Sequence, residues 1–327
     1  MERDIFIFSS GSLKRKDNTL YFEDSDGDKR PIPVQQVNSI HLFGQVEFNT
    51  SLLHLLSLHQ ICFHVYNYYG YYDGSFCPRN PKVSGFTVVQ QCAHVLDSEK
   101  RLYLAKSFVS AGIHHMLRNI RRNGDKQTPH ADTIASMAHQ IVDARSIPEL
   151  MGMEGQCRQV YYEAFSHLVK NGMEWKSRSK QPPKDPLNAM ISFGNGLMYT
   201  AIISELYKTV LDPTVSFLHE PSTRRYSLSL DIAEIFKPLV VDSIIFTLLN
   251  NRRIQDKHFD IRDEAVLLNE EGRKRFVEAF SEKMMTTIKH RKLRRQVSYR
   301  YLVRLEAYKL IKHFIGDETY KPFKAWW

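Results

Sequence analysis

Cysteine is scarce in this chain, four in 327 residues, and the four stand at Cys62, Cys77, Cys92 and Cys157. Spacings of fifteen, fifteen and sixty-five residues suit neither a zinc site nor a disulfide framework, so free thiols in a reducing cytoplasm are expected. No run of eighteen apolar residues exists to span a bilayer, and Met1-Glu2-Arg3-Asp4 lacks the basic-then-apolar layout of a secretory signal. A membrane partner is therefore not expected. Phosphate-loop chemistry is missing too: Gly194 and Gly196 follow no strand and precede no Gly-Lys-Ser/Thr, so they read as points of close helix packing. Acidic residues are the minority charge, 36 against 45 Lys and Arg, and the resulting +9 favours a polyanionic partner.

The hydrophobic fraction of 43% is that of a globular protein, and 327 residues exceed one typical core. The pattern predicts an α+β, two-domain chain: residues 1–90 as a β-sandwich or β-roll, and residues 91–327 as a larger all-α domain. Short runs rich in β-branched and aromatic residues at Ile5–Phe8, Thr19–Phe22, Ser39–Phe43, Ile61–Tyr66 and Gly85–Val89 read as strands, with one helix over Ser51–His59. The tyrosines of Tyr66–Tyr72 read as cross-strand packing rather than base-stacking platforms. Beyond Ala93 long amphipathic helices are predicted over Ser98–Arg122, from Ser146, and from Asp185-Pro186 to about Val210.

Chemistry concentrates in Phe217–Pro238. His219 follows an apolar pair, and Asp231 and Glu234, three residues apart, fall within about 60° of each other on a helix. Hard divalent cations prefer carboxylate oxygens, and a single imidazole is best tolerated by Mn²⁺, so the set reads as a phosphate-chemistry site and not as zinc. The same residues also fit a helix N-terminus where two acids complement the macrodipole. Upstream, Ser146-Ile147-Pro148-Glu149 is a capping box, and the helix it starts carries Glu154 on a stripe with Ile147, Met151, Arg158, Tyr161, Phe165 and Leu168. A carboxylate there must be paired, protonated or metal-bound. An ion pair with Arg158, one turn on, explains Glu154 equally well without chemistry.

In order and spacing, Glu154-Gly155-x-x-Arg158-x-x-x-Tyr162, Asn188-x-x-x-Ser192-Phe193-Gly194, Phe217-Leu218-His219-Glu220 and Leu230–Pro238 resemble the CRISPR-associated adaptation integrases, the Cas-one family. Ser9–Arg15 and Gly70-x-x-x-Gly74-x-Phe76-x-Pro78 match it as well, and the resemblance spans essentially the whole chain. It implies a cytoplasmic, prokaryotic, metal-dependent DNA endonuclease and integrase using Mg²⁺ or Mn²⁺. Glu154, His219 and Glu234 are the implied metal ligands, Glu234 standing where many members carry Asp, with Asp231 as support or a second-metal ligand. His219 is either a ligand or a general base. The implied reaction is attack by a 3′-hydroxyl of a double-stranded DNA fragment on a phosphodiester of CRISPR repeat DNA. Implied partners are a second copy of the chain, through the β-rich domain, and a small Cas-two protein.

Basic residues supply candidate DNA contacts. Arg158, Tyr162, Arg224, Arg225 and Lys237 flank the expected site, while Lys289, Arg291, Lys292 and Arg294 lie in the densest basic run, Lys283–Arg295. Trp175–Lys184, basic and proline-bearing, reads as a DNA-contacting loop or a solvated linker. Trp326-Trp327 are expected to dock on the chain's own surface or a partner. Two other readings fit the same composition: a non-catalytic, dimeric nucleic-acid-binding subunit, and a repair nuclease for branched DNA.

Overall fold

The computed structural model describes residues 2–79, 82–124, 129–169, 177–221, 226–262 and 265–327. These divide into two compact units, Met1–Val83 and Ser84–Trp327. The first holds β1 (Arg3–Ile7), β2 (Gly11–Lys16), β3 (Thr19–Asp24), β4 (Lys29–Pro33), β5 (Val37–Leu42), β6 (Val46–Glu47), α1 (Thr50–Leu58), β7 (Cys62–Tyr66) and β8 (Tyr72–Phe76). Two four-stranded sheets, ordered β1-β5-β7-β8 and β4-β3-β2-β6, share one apolar core with α1 that includes Leu13, Leu20, Ile40 and Leu55. Asn49 caps α1 by accepting from the Leu52 amide at 3.1 Å. Tyr66 and Tyr72 are partners across β7 and β8, as cross-strand packing requires.

The second unit begins with α2 (Gly85–Leu96) and α3 (Ser98–Asn123), and continues through α4 (Pro129–Gln140), α5 (Ile147–Glu163), α6 (Phe165–Leu168), α7 (Pro186–Tyr207) and α8 (Ser227–Phe236). A π-helix (Lys237–Asp242) leads into α9 (Ser243–Asn250). The hairpin β9 (Phe259–Arg262) with β10 (Ala265–Leu268) precedes α10 (Glu270–Met285), and the hairpin β11 (Thr287–Lys289) with β12 (Gln296–Ser298) precedes α11 (Tyr299–Phe314). This unit is thus helical with two small hairpins, not all-α. The densest basic run is the second hairpin, a register the charge pattern conceals.

The strand expected at Gly85–Val89 is the start of α2. Ser84 accepts from the Thr87 amide at 3.2 Å, so an N-cap overrides the β propensity of Thr87-Val88-Val89. The unit boundary consequently falls before this segment. The sides of α2 are inverted relative to an ordinary surface helix: Thr87, Gln91 and His94 are buried while Phe86, Val89 and Leu96 are exposed. Gln91 is satisfied by donating to the Asp212 carbonyl at 3.2 Å and accepting from the Asp212 amide at 2.9 Å.

Helix α3 runs against α8 and the π-helix. A Cβ at Gly112 would lie 2.8 Å from the Glu234 carbonyl oxygen, so only glycine lets the two backbones approach this closely. Gly194 similarly faces Val241 and the Phe276 ring, at 2.5 and 2.7 Å from where its Cβ would be, which is the close packing its sequence context suggests. Pro238 does not end the helix at once; it stands inside the wide π turn, where its missing amide costs least. Carbonyls along that turn are taken by side chains: Asn119 donates to the Pro238 carbonyl at 2.7 Å, and Ser243 to those of Leu239 and Val240 at 3.0 and 2.9 Å.

At the far end of the turn Asp242 is buried and accepts from the Tyr161 hydroxyl at 3.0 Å. Burial pushes its carboxyl from 3.8 up to about 7, against the pull of Tyr161 and of Arg158. A raised carboxyl pKa means that the folded state keeps a proton the unfolded chain has lost, so stability falls as pH rises from about 4 through 7. Asp242→Asn, which keeps the acceptor for Tyr161, is therefore expected to melt higher than wild type at pH 8 and to match it near pH 4. Parallel melting curves at the two pH values check this.

Candidate metal and nucleic-acid site

Ser146 accepts from the Glu149 amide at 3.3 Å and starts α5, which places Glu154 and Arg158 one turn apart. The apolar face of α5 is Leu150, Cys157 and Tyr161, while Met151 is exposed. The expected stripe is therefore rotated, and Glu154 sits at the edge of a cavity rather than within the core. That cavity, of about 550 Å³, is lined by Glu154, Arg158, His219, Glu234 and Lys237 among others.

Arg158 links the two carboxylates. Its Nε donates to Glu154 Oε1 at 2.6 Å, and its Nη2 donates to Glu234 Oε2. The ion pair that the sequence offered as an alternative to chemistry is present, and it extends to the second acid. Lys237 donates to the remaining Glu234 oxygen at 2.7 Å. Burial alone would raise the Glu234 carboxyl, but Arg158 and Lys237 outweigh it and hold the group at about 2. Burial likewise works against the Arg158 cation, and Glu234 and Glu154 more than compensate, holding its pKa well above the usual guanidinium value.

His219 is fixed by Asp231. The Asp231 carboxylate is fully buried and accepts the amides of Phe217, Leu218 and His219 at 2.6, 3.0 and 2.9 Å. His219 Nδ1 donates to Asp231 Oδ1 at 2.8 Å, which sets the tautomer and leaves Nε2 as the acceptor. With four donors on its two oxygens, Asp231 holds the His219 loop in place. Arg101 secures the loop from outside through the Phe217 carbonyl at 2.9 Å and Glu220 at 2.6 Å.

Glu154, His219 and Glu234 thus line one cavity. Among the described residues no three His, Cys, Asp or Glu side chains stand close enough to enclose an ion as they are placed. The space between the two carboxylates is taken by the guanidinium. The donor set itself, two carboxylates and a free imidazole nitrogen, suits a hard divalent cation of the Mg²⁺ or Mn²⁺ kind, with Arg158 displaced.

The remaining expected residues divide. Tyr162 is buried with its ring 5.1 Å from that of Phe165, so it forms cavity wall beside Arg158 and has little surface to offer a base. Lys289, Arg291, Lys292 and Arg294 are exposed on the second hairpin; Lys292 pairs with Glu318 at 2.8 Å, and Arg291 lies over the Trp326 ring at 4.7 Å. Both terminal tryptophans pack on the chain's own surface. Arg224, Arg225, Trp175 and Lys176 lie outside the described residues.

Arg178, in the basic segment read as a loop or linker, is a cavity residue tied to α7. It donates to Asn188 Oδ1 at 2.6 Å and to Ser192 Oγ at 3.1 Å. The spacing of Asn188 and Ser192, one turn apart on α7, was the available signal, because it puts two acceptors on one face. Asn195, further along, brings a buried side-chain oxygen to the same cavity that has no hydrogen-bond partner among the described residues.

The description CRISPR associated protein Cas1 belongs to the sequence family whose pattern matches residues 5–282. The CRISPR-associated endonuclease Cas1 3 of Thermodesulfovibrio yellowstonii is 52% identical over 327 residues, 99% of this chain and 100% of that protein. A CAS1 protein from Thermotoga maritima superposes with a TM-score of 0.89 at 38% identity, covering 98% of this chain and all of that one. A casposase bound to integration product, at 19% identity, shares the fold with a TM-score of 0.87 over 98% of this chain and 93% of its own.

The ion triad makes a direct prediction. Because the Glu234 pKa lies below the ordinary 4.5, its pairing stabilises the fold fully above that value and is lost as pH falls towards about 2. Arg158→Met leaves two carboxylates facing each other. It is expected to cost about 2–3 kcal/mol at pH 7, after discounting for residual exposure, with the gap to wild type closing towards pH 2. Urea unfolding across that range measures it.

Proposed function

The chain belongs to the CRISPR associated protein Cas1 family, and from that premise we propose that it is a metal-dependent DNA endonuclease and integrase of CRISPR adaptation. The reaction is transesterification, in which a 3′-hydroxyl of a short duplex attacks a phosphodiester of repeat DNA; with water as nucleophile the same site cleaves. The observation that supports this most is the convergence of Glu154 and Glu234 on one guanidinium, in a cavity also lined by His219.

Glu154, Glu234 and His219 Nε2 would hold the cation, which supplies Lewis-acid activation of the phosphoryl group and of the attacking oxygen. Asp231 sets the tautomer by accepting from Nδ1, so the lone pair of the neutral ring is on Nε2. As a ligand His219 is not the general base, since a metal-bound nitrogen has no free lone pair. Arg158 and Lys237, relieved of their carboxylates, become two cations beside the scissile phosphate, where charge-assisted hydrogen bonds stabilise the developing negative charge. Arg178 and Lys180, also lining the cavity, add to the positive wall that draws a backbone in.

The exposed basic hairpin carries binding of the flanking duplex through phosphate contacts. A second copy of the chain pairs through the β-rich unit, as the family reading has it, and the exposed Phe86, Val89 and Leu96 add a further apolar face. The Gly85–Leu96 helix has no Asp, Glu, Lys or Arg, so on a protein of net charge +9 it is a face on which like copies meet without repulsion. A Cas2-type partner follows from the same family reading.

Glu154→Ala is expected to abolish strand transfer and cleavage under Mn²⁺, with DNA affinity changing less than about threefold because binding rests on distributed phosphate contacts. Retained joining by that variant, or EDTA-insensitive binding by a wild type that neither cleaves nor joins, would remove the enzymatic reading. Charge reversal at Lys289, Arg291, Lys292 and Arg294 should instead weaken binding and lower the slope of log affinity against log salt by about 3 to 4. An unchanged slope in a filter-binding series would exclude the hairpin.

A further inference from the structure

His115 is completely buried, and each of its ring nitrogens has a partner. The Ala325 amide, which can only donate, reaches Nε2 at 3.0 Å. Nε2 is therefore the acceptor, the ring proton sits on Nδ1, and Nδ1 donates to the Ile235 carbonyl at 2.8 Å. Ile235 is the residue after Glu234. One neutral imidazole thus spans from a segment at the C-terminal end of the sequence to the backbone beneath the site carboxylate.

Both ends of this bridge are anchored on α3. Tyr320–Trp327 has no regular secondary structure, and hydrogen bonds from α3 hold it along that helix. Tyr103 donates to the Tyr320 carbonyl at 2.7 Å, and His114 Nε2 meets the Ala325 carbonyl at 2.8 Å. Arg118 donates to a main-chain oxygen of Trp327 at 2.8 Å. Tyr320 and Phe323 are buried, and the Tyr320 hydroxyl donates to buried Glu306 at 2.7 Å. The other side of α3 presents Gly112, His115 and Asn119, three and four residues apart, to Glu234, Ile235 and Pro238 in turn. The carbonyls bonded by His115 and Asn119 flank the entry to the π turn. Wide turns of this kind are rare, and here carbonyls at its entry are taken by side chains from α3.

We propose that His115 is a positioning residue through which the docked Tyr320–Trp327 segment fixes the backbone under Glu234, making that segment part of what sets the geometry of the cation site. The inference rests on the reading of Glu234 as a ligand. Loosening the bridge moves Glu234 relative to Glu154 on another helix, so it acts on ion affinity, which depends on both, more than on DNA binding, which does not.

The test is Mn²⁺ binding by the full-length protein, read as loss of the free-ion signal in electron paramagnetic resonance, with melting temperature as a check of folding. Ala325→Pro removes the amide that meets Nε2, and its ring also fixes φ at that position. His115→Asn keeps a donor for Ile235 and loses the acceptor for Ala325; His115→Gln keeps the acceptor and loses the donor. Each single variant is expected to weaken Mn²⁺ binding about tenfold, the usual cost of losing a partner behind a metal ligand. Ala325→Pro should add less than about twofold in the His115→Asn background, because the bridge is already cut there. Unchanged Mn²⁺ affinity in folded single variants, or additive losses in the double variant, would overturn the bridge. Should Ala325→Pro fail to fold, the Asn and Gln variants decide, wild-type affinity in either one overturning the proposal. A wild type that does not bind Mn²⁺ would overturn the metal reading itself, and this inference with it.

Discussion

One guanidinium between two carboxylates governs the helical unit. Glu154 on α5 and Glu234 on α8 come from distant parts of the sequence, and bringing two like charges into a partly buried cavity is unfavourable unless a cation lies between them. Arg158 supplies that cation from the same helix as Glu154, one turn on, and reaches across to Glu234 on α8. Lys237 plays the equivalent part on the other side, one turn beyond Glu234. As it stands one positive group satisfies both acids, and under the proposed function a divalent ion would take its place. A site built this way holds both carboxylates oriented towards one cavity, and under the proposed function their two cations would be freed beside the phosphate.

The second constraint is that the backbone carrying Glu234 is not a regular helix. Pro238 and the π turn free main-chain carbonyls that a continuous α-helix would use internally, and α3 answers with Gly112 for close approach and with His115 and Asn119 as donors. Ser243 and Tyr161 complete the same pattern around the turn, and Asp231 does the same for the His219 loop. The polar atoms in this otherwise apolar layer are committed to register, which explains a concentration of buried Asp, His and Asn in a core where such groups are expensive unless paired.

Much of this was legible beforehand, for identifiable reasons. The caps at Ser146 and Asp185 are local signals, and both helices start where the sequence places them. That Glu154, His219 and Glu234 line one cavity was not readable from spacing, and the family resemblance supplied their association. Less legible were features that depend on what lies across the interface. The Gly85–Val89 segment has strand composition and a helix cap, and the cap prevails. The buried side of α2 is polar because Gln91 finds the Asp212 main chain, a partner over a hundred positions away that no periodicity reveals. The bonds of His115 to Ile235 and Ala325 join segments far apart in the sequence and are visible only once Tyr320–Trp327 is in place. Arg178 was hidden in what composition describes as a linker.

Under the proposed function Arg158 stands where a divalent cation would bind. The most direct measurement is an anomalous-difference map at the manganese edge from crystals grown with Mn²⁺. The account predicts one strong peak bonded to Glu154, Glu234 and His219 Nε2, with the Arg158 guanidinium withdrawn from between the two carboxylates. A cavity without a peak and Arg158 still bridging both acids, at a Mn²⁺ concentration that supports DNA joining, would contradict it.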